Sequence, residues 1–401
     1  MKVALVSSSY HPYYKGGGEY SVKYLAEKLV AQGVEALVIT AFHQAKIETI
    51  NGVKVYRVRH PNIYWSYESD RQPGYKKLTW HAIESYNPRV ANRVGEVLRR
   101  EQPDVLHIRN VEDFSPYVAK VARQHGIPVV VTLNSYTWLC PKATMFKRGS
   151  NCATQCLSCR LLTYPKKVLS RHVNAVVGVS QFLVDRHQQY GYFPSAQASV
   201  IYTSAEPQPQ PLPATENDFI TFGYLGRIHP TKGVHQIIEA FQRLPAPHRL
   251  LIAGDGPLDY VRQCQRRAAG NERITLLGKY PAGDFYPQVD VMMISSLWNE
   301  PFPRVLVEAY AFGRPVVAAN TGGTPERVVE GQTGWIYDPL VPDQLRTAIQ
   351  KVTQMSATAL LSMQKNIVAL LRERLPDDAE QYVTLYQSLR EHSSLSKIIK
   401  P

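Results

Sequence analysis

The stretch WNEPFPRVLVEAYAFGRPVVAANTGGTPE, Trp298–Glu326, follows the short apolar run DVMMISS, Asp290–Ser296. Such a run is too short for a stable helix and fits a strand buried on both faces. The loop after it holds Glu300, and a helix is expected to begin near Pro303, whose fixed φ suits a first turn. Glu308 comes eight positions after Glu300, about two turns along a regular helix. One carboxylate therefore precedes the helix and the other lies inside it. The amides of Phe302, Arg304 and Val305 fall in the first turn, where N–H groups lack intrahelical partners and phosphate is readily held. Two glutamates on a solvated helix face are the plain alternative.

Outward from this unit, the same strand-then-helix rhythm runs from the first residue to about Asp338. The first half contains VALVSS, EALVITAF, VKVYRV, DVLHIRN, PVVVTLN, AVVGVS and ASVIYT. In the second half the runs are FITFGYLG, RLLIAGDG, RITLLGK, DVMMISS, RPVVAAN and GWIYD. Stretches such as YSVKYLAEKLVAQG and HQIIEAFQRL fill the gaps with helical periodicity. Apolar strands alternating with helices predict doubly wound parallel sheets of the α/β class. The segment EPQPQPLPATEN, Glu206–Asn217, breaks the rhythm with four prolines and reads as an extended linker. It separates an N-terminal domain, 1–205, from a second domain, 218–380. A helical tail, 381–401, is expected to pack back on the first domain. Two such domains are expected to face a cleft at the carboxyl ends of their strands.

With 401 residues, 44% hydrophobic and 20% charged, the chain suits two globular domains. No run of eighteen apolar residues occurs, which excludes a membrane-spanning helix. MKVALVSSSYHP has too short an apolar stretch for a signal peptide and reads as a buried first strand. A cytoplasmic location follows as the default. The net charge of +13 is lopsided: Met1–Ala205 carries 26 Lys and Arg against 13 Asp and Glu, and the remainder carries 20 of each. A basic face attracts nucleic acid, anionic lipid or phosphorylated substrates, or is simply solvated. No helix-turn-helix, zinc-finger or RNA-binding signature accompanies it, so nucleic acid is not an expected partner.

GYLGRIHPTKGVHQIIEAF, Gly223–Phe241, places Arg227 after a strand and Lys232 at the start of a helix. Cleavage of a nucleotide-sugar bond builds negative charge on the departing diphosphate, and adjacent cations stabilise it without a metal. Together with Glu300-x7-Glu308, EA, G-x-PVVA and GG-x-x-E, this pattern resembles the donor site of retaining glycosyltransferases of family 4. That resemblance covers nearly the whole chain and implies the GT-B architecture. It also implies a nucleotide-diphosphate sugar as co-substrate, UDP- or GDP-linked, and catalysis that needs no metal. Carried over by position, Arg227 and Lys232 hold the diphosphate, Glu300 orients the sugar and Glu308 binds the ribose. The family has glycines where Pro301 and Pro303 stand here, so the sugar contact differs in detail.

In the first domain KGGGEYSVKYLAEKL, Lys15–Leu29, opens a helix with a glycine run. Its spacing is not G-x-G-x-x-G, so a dinucleotide site is a poor reading. The family resemblance assigns Gly17 and Gly18 to the donor phosphate; a plain glycine-rich turn is the alternative. At TLNSYTWLCP the family has His-Asp, whereas this chain has Asn134 and Ser135. Asn134 hydrogen-bonds but does not titrate. A retaining displacement in which the leaving phosphate takes the acceptor proton needs no histidine base, so Asn134 is kept as a catalytic candidate. HIRN offers His107 and Arg109 to an acceptor, with a hydrogen-bonded core histidine as the alternative.

Two further clusters stand out. Cys140, Cys152, Cys156 and Cys159 lie within twenty residues. They are enough for a structural zinc, although the spacing is not a standard ribbon; redox pairing and free thiols are the alternatives. PNIYWSYESDRQPGYKKLTW, Pro61–Trp80, mixes Tyr64 and Trp65 with Arg71, Lys76 and Lys77. Aromatics interleaved with cations suit sugar stacking or the inner face of a membrane, and a partnerless surface loop is the alternative. The expected function is retaining transfer of a hexose to a hydroxyl acceptor, with lipid-linked and polysaccharide precursors as candidates. A nucleotide-sugar epimerase and a catalytically weak nucleotide-sugar-binding partner are the other readings.

Overall fold

The computed structural model of the chain describes residues 1–13, 17–60, 62–204, 219–374 and 377–398. Two compact units emerge. One comprises Met1–Met145, Cys152–Tyr202 and Asp377–Pro401, the other Phe146–Asn151 and Thr203–Pro376. Both are α/β bodies with parallel sheets, as the alternation of apolar strands and amphipathic helices implied. The expected linker, Glu206–Asn217, lies outside the described residues.

The first unit opens with β1 (Lys2–Ser7), α1 (Gly17–Ala31), β2 (Glu35–Phe42), β3 (Lys46–Ile50) and β4 (Val53–Arg59). It continues through α2 (Gly74–Ser85), α3 (Pro88–Glu101), β5 (Val105–Ile108), α4 (Tyr117–Gln124) and β6 (Val129–Leu133). The short hairpin β7 (Phe146–Lys147) and β8 (Ser150–Asn151) belongs to the second unit. Next come α5 (Leu157–Leu169), β9 (Ala175–Gly178), α6 (Gln181–Gln189) and β10 (Gln197–Val200). The sheet order is β10-β9-β6-β5-β1-β2-β4-β3, with only β3 antiparallel to its neighbour.

The second unit runs through β11 (Thr221–Leu225), α7 (Val234–Gln242), β12 (Arg249–Ala253), α8 (Leu258–Ala268), β13 (Ile274–Gly278) and α9 (Ala282–Phe285). It ends with β14 (Val291–Ile294), α10 (Arg304–Ala311), β15 (Val316–Ala319), β16 (Gly334–Tyr337), α11 (Gln344–Thr353) and α12 (Ala357–Arg374). Its sheet order is β13-β12-β11-β14-β15-β16. Each sheet therefore grows in one direction and then reverses, between β1 and β5 in the first unit and between β11 and β14 in the second. Doubly wound sheets bind ligands outside the carboxyl ends of their strands at such a reversal. The loops that matter are thus those leaving β1, β5, β11 and β14.

A last helix, α13 (Asp378–Ile398), returns to the first unit and packs against α1. Lys28 pairs with Asp377 at 2.7 Å where it arrives. Tyr382 and Tyr386 are buried against Val3, Val105 and Val130 of the sheet. Each buried tyrosine needs a partner for its hydroxyl. Tyr386 Oη lies 2.6 Å from His107 Nδ1, and Tyr382 Oη accepts a 2.9 Å hydrogen bond from Arg109. Thr132 completes the set, 2.7 Å from His107 Nε2.

A second buried polar contact fixes α5 against α2. Lys166 reaches Glu84 at 2.7 Å, both side chains being sealed from solvent, and also donates to the Thr137 carbonyl at 3.1 Å. Burial pushes the Glu84 carboxyl up, to about 7, against the opposing pull of Lys166. Breaking one member of such a pair leaves a buried group without its counter-charge. Lys166→Met is therefore expected to destabilise the protein by about 3–5 kcal/mol in urea unfolding, and Glu84→Gln in the same chain to recover most of that loss.

Candidate functional site

In the second unit the loops leaving β11 and β14 lock together. Leu297 N donates to Thr231 O at 2.8 Å, and Ser295 Oγ to Lys232 O at 2.6 Å. Between them sits Gly233, at φ +66°, where a Cβ would stand 2.2 Å from the Ser295 carbonyl oxygen. Only glycine allows this approach. The locked loops bring the Lys232 ammonium into direct contact with the Glu300 carboxylate, which is almost fully buried. Burial and the nearby Arg227 guanidinium push Lys232 down, to about 8. The Glu300 carboxylate opposes both influences. The Trp298 ring lies 5.8 Å from the ammonium and covers it from a further direction.

The backbone of Glu300 is held from behind. Gly323 N donates to its carbonyl at 2.8 Å, and Gly322 N to Asn299 Oδ1 at 3.3 Å. A Cβ on Gly322 would stand 2.0 Å from that same Glu300 oxygen. The GG-x-x-E element is thus a brace for the Glu300 loop. Asn151, in the β7–β8 hairpin, adds a second brace by accepting from Asn299 N at 2.7 Å and donating to Leu297 O at 2.9 Å. Helix α10 opens at Arg304 with Pro303 before it and no side-chain cap. Phe302 and Val305 pack against the core. Glu308 is engaged at both oxygens, by Tyr286 Oη at 3.0 Å and by Arg304 at 3.1 Å. The AGDGP turn, Ala253–Pro257, pairs with the loop after β11: Ile228 N donates to Asp255 O at 2.7 Å.

The first unit assembles a different chemistry at its reversal. Gly17 and Gly18 open α1, and a Cβ on Gly18 would lie 3.4 Å from Asn134 Nδ2. Ser21 Oγ donates to Gly18 O at 2.6 Å and accepts from Arg109 at 2.9 Å. Asn134 donates to Arg109 O at 3.3 Å. Asn134 and the Gly17–Gly18 turn therefore meet; Tyr14, Lys15 and Gly16 lie outside the described residues.

Other expected participants sit elsewhere. His107 and Arg109 were read as acceptor contacts, but both are enclosed in the tyrosine–threonine network beneath α13. Burial holds the His107 imidazole well below its usual range, and Arg109 adds to this. Tyr64 and Trp65 are core residues as well: their indole and ring faces stack with Trp80 and Tyr67, and Trp65 Nε1 donates to Ser8 O at 3.2 Å. They present no ring to a sugar or a membrane. Lys76 stays exposed and Lys77 is half-buried on α2, while Arg71 closes the short turn Ser66–Arg71 before it.

The four cysteines do not assemble as a zinc ligand set. All five cysteines of the chain are free thiols, and among the described residues no three His, Cys, Asp or Glu side chains are grouped to hold a metal. Cys159 approaches Cys140 at 3.8 Å, and Cys156 caps α5 beside Ser158 at 3.4 Å. The Cys152 amide donates to Met145 O, and its carbonyl accepts from Arg186.

Sequence reasoning missed Tyr286, Trp298, Asn299 and Asn151. Each acts through tertiary placement: Asn151 is remote in sequence from the loop it braces. Of the four, only Asn299 and Trp298, flanking Glu300 in sequence, carried a usable signal.

Among the described residues, no helix is long and apolar enough to cross a membrane. A family model for glycosyl transferases group 1 matches residues 206–368, and one for glycosyltransferase family 4 matches 15–208. An "uncharacterized 42.6 kDa protein in cps region" of Klebsiella pneumoniae is 30% identical over 328 residues, 81% of this chain and 87% of its own. The fold is shared with the sucrose-phosphate synthase of Thermosynechococcus elongatus, at a TM-score of 0.72 and 19% identity, covering 97% of this chain and 98% of that one. Anabaena HepE, solved with UDP, gives a TM-score of 0.69 at 21% identity, covering 98% and 100%.

Two outcomes follow from this geometry. Above about pH 7, where a nucleoside diphosphate is fully ionised, its affinity is expected to weaken as Lys232 loses its proton above about pH 8. Calorimetric titration across that range checks this, and Lys232→Met should abolish the dependence together with most of the binding. Gly322→Ala displaces the Glu300 loop and is expected to lower donor kcat/KM by about 10–100-fold and to lower the unfolding midpoint as well, since its Cβ meets backbone at positive φ.

Proposed function

This chain belongs to the glycosyltransferases of family 4 and group 1, and from that premise we propose that it moves a hexose from a nucleotide-diphosphate sugar to a hydroxyl acceptor with retention of configuration. The observation that carries the reading is the Lys232–Glu300 contact at the reversal of a parallel sheet, with Arg227 close enough to depress the lysine. A half-buried lysine and an exposed arginine beside a buried carboxylate suit a ligand that is anionic at one end and rich in hydroxyls at the other.

In this reading Arg227 and Lys232 take the charge that grows on the leaving diphosphate, Lys232 from a setting where desolvation makes that interaction strong. Glu300 accepts hydrogen bonds from sugar hydroxyls, and Glu308 accepts from the ribose. The first turn of α10 adds backbone donors at Arg304 and Val305, and Phe302 N lies just before it. Asn134, with Gly17 and Gly18, contributes uncharged hydrogen bonds, and the leaving phosphate takes the acceptor proton. Such chemistry draws on no metal, and activity is expected to survive chelator. UDP is the favoured nucleotide, because HepE, of the same fold, was solved with UDP and with UDP-glucose. The acceptor is a sugar hydroxyl on a lipid-linked or polysaccharide precursor, met at an anionic membrane surface by the basic first unit.

Thermal unfolding with UDP-, GDP- and ADP-sugars tests the reading. A donor at 100 times its dissociation constant should stabilise the native chain by about 2.7 kcal/mol. Both Glu300→Ala and Arg227→Ala should remove that shift. Folded protein that responds to no nucleotide sugar overturns the assignment. Anomeric configuration of the product, read by NMR, decides retention.

A further inference from the structure

Helices α2 and α5 pack side by side, and their contact is the sealed Lys166–Glu84 pair. Glu84 is the only carboxylate on either helix, so that contact consumes all the negative charge the two possess. Opposite the buried stripe of α5, at Thr163, Lys166 and Leu169, lies an outer stripe of Leu157, Arg160, Leu161, Tyr164 and Lys167. The outer side of α2 repeats the composition with Tyr75, Lys76 and Leu78. Leu157, Leu161, Tyr164, Tyr75 and Leu78 are between 58% and 71% exposed. Large apolar side chains gathered at such exposure on one pair of helices mark a surface that meets something.

Charge narrows what that is. Among the described residues Lys76, Arg160 and Lys167 make no ion pair, although each is at the surface where a carboxylate could reach it. Beside the α5 stripe opens a cavity of about 640 Å³, bordered by Gln155, Arg160, Tyr164, Lys167 and Tyr190. Its lining holds no carboxylate. Lys167 is set by packing, since its ammonium lies 3.1 Å from where a Cβ on Gly191 would stand. Leucines and tyrosines at helical spacing, flanked by unpaired cations and a basic hollow roomy enough for a lipid headgroup, match the layering of a bilayer surface. Apolar groups enter the acyl boundary, tyrosines sit at its edge, and cations meet phosphate. Protein interfaces are depleted of lysine, which this face presents at Lys76 and Lys167, and a nucleic acid would not reward the leucines.

We propose that the outer face of α5, continued by α2, is a docking surface for anionic lipid bilayers. Leu157, Leu161 and Tyr164 enter the interface, and the hollow at Arg160 and Lys167 receives a lipid headgroup phosphate. The proposal rests on the membrane-surface reading of the acceptor given above, and replaces Tyr64 and Trp65 with residues that are accessible.

Sedimentation of the full chain with vesicles tests it. Phosphatidylglycerol–phosphatidylcholine vesicles should carry the protein down, phosphatidylcholine vesicles alone should not, and raised salt should weaken the binding. Leu157→Ser with Leu161→Ser, and separately Arg160→Glu with Lys167→Glu, should each reduce the partition coefficient at least about tenfold. Neither double variant touches the donor residues, so both should keep the wild-type thermal shift with a UDP-sugar. Equal partition of wild type and both variants overturns the surface, as does wild-type protein that ignores anionic vesicles. Binding of a DNA oligonucleotide in place of vesicles also overturns it. Loss of the UDP-sugar shift in wild type would instead count against the donor site and leave the vesicle result to be judged separately.

Discussion

A lysine and a glutamate in contact, both largely withdrawn from water, set the terms for the second unit. Either charge alone would carry a heavy desolvation cost, and the pair is tolerable only with good geometry. The surrounding sequence enforces that geometry. Gly233 lets the loop after β11 lie on the Ser295 carbonyl, and Gly322 lets the loop after β15 lie on the Glu300 carbonyl. Strand order supplies the rest, because β11 and β14 are neighbours although three helices and two strands separate them in the chain. The Lys232 ammonium is thereby held in place by the Glu300 carboxylate and the two locked loops.

The first unit solves the same topological problem without an ion pair. Its reversal gathers serine, asparagine and glycine, and a buried cation nearby, Arg109, turns away toward Tyr382, Thr132 and Ser21. The contact with Ser21, which donates to Gly18 O, ties the glycine turn to a network anchored on α13. A helix from the far end of the chain thereby helps to position the start of α1. Conformational freedom at the C-terminus is converted into order at the site, at the cost of burying several hydroxyls that all require partners.

How much of this could be read from residue order divides cleanly by range. Every parallel strand was legible, because strands such as VVVTL and VLHI are buried on both faces and written almost entirely in apolar residues. The edge strand β3 was not. KIETI leaves Lys46, Ile47 and Thr49 exposed, spends Glu48 on the buried Arg57, and carries no apolar run. The β7–β8 hairpin, two residues to a strand, is below any periodicity. In the site, Glu300, Glu308, Arg227 and Lys232 stood out because their spacing is local to one loop-and-helix unit each. Asn151, Tyr286 and the closeness of Ser21 to Arg109 did not, since only the tertiary fold brings them together. Tyr64 and Trp65 misled for the same reason: aromatic content reports burial as readily as exposure, and a sequence window does not say that Trp65 turns in to Ser8 and Tyr64 to Trp80.

Charge shows how the two halves divide labour. The second half balances 20 cations with 20 anions and still builds its site from local pairs. In the first half the excess of basic residues goes unused by the site, whose polar groups are amides and hydroxyls. That excess acts through its distribution on the surface, and salt screens charges beyond about 8 Å at physiological ionic strength. Cations scattered around the body would therefore cancel to little more than solubility. Those on α2 and α5 escape that fate, because the single acidic residue of the two helices is spent inside, on Lys166. Burying Glu84 thus does two things at once: it fixes the helices together, and it leaves their outer faces with one sign of charge.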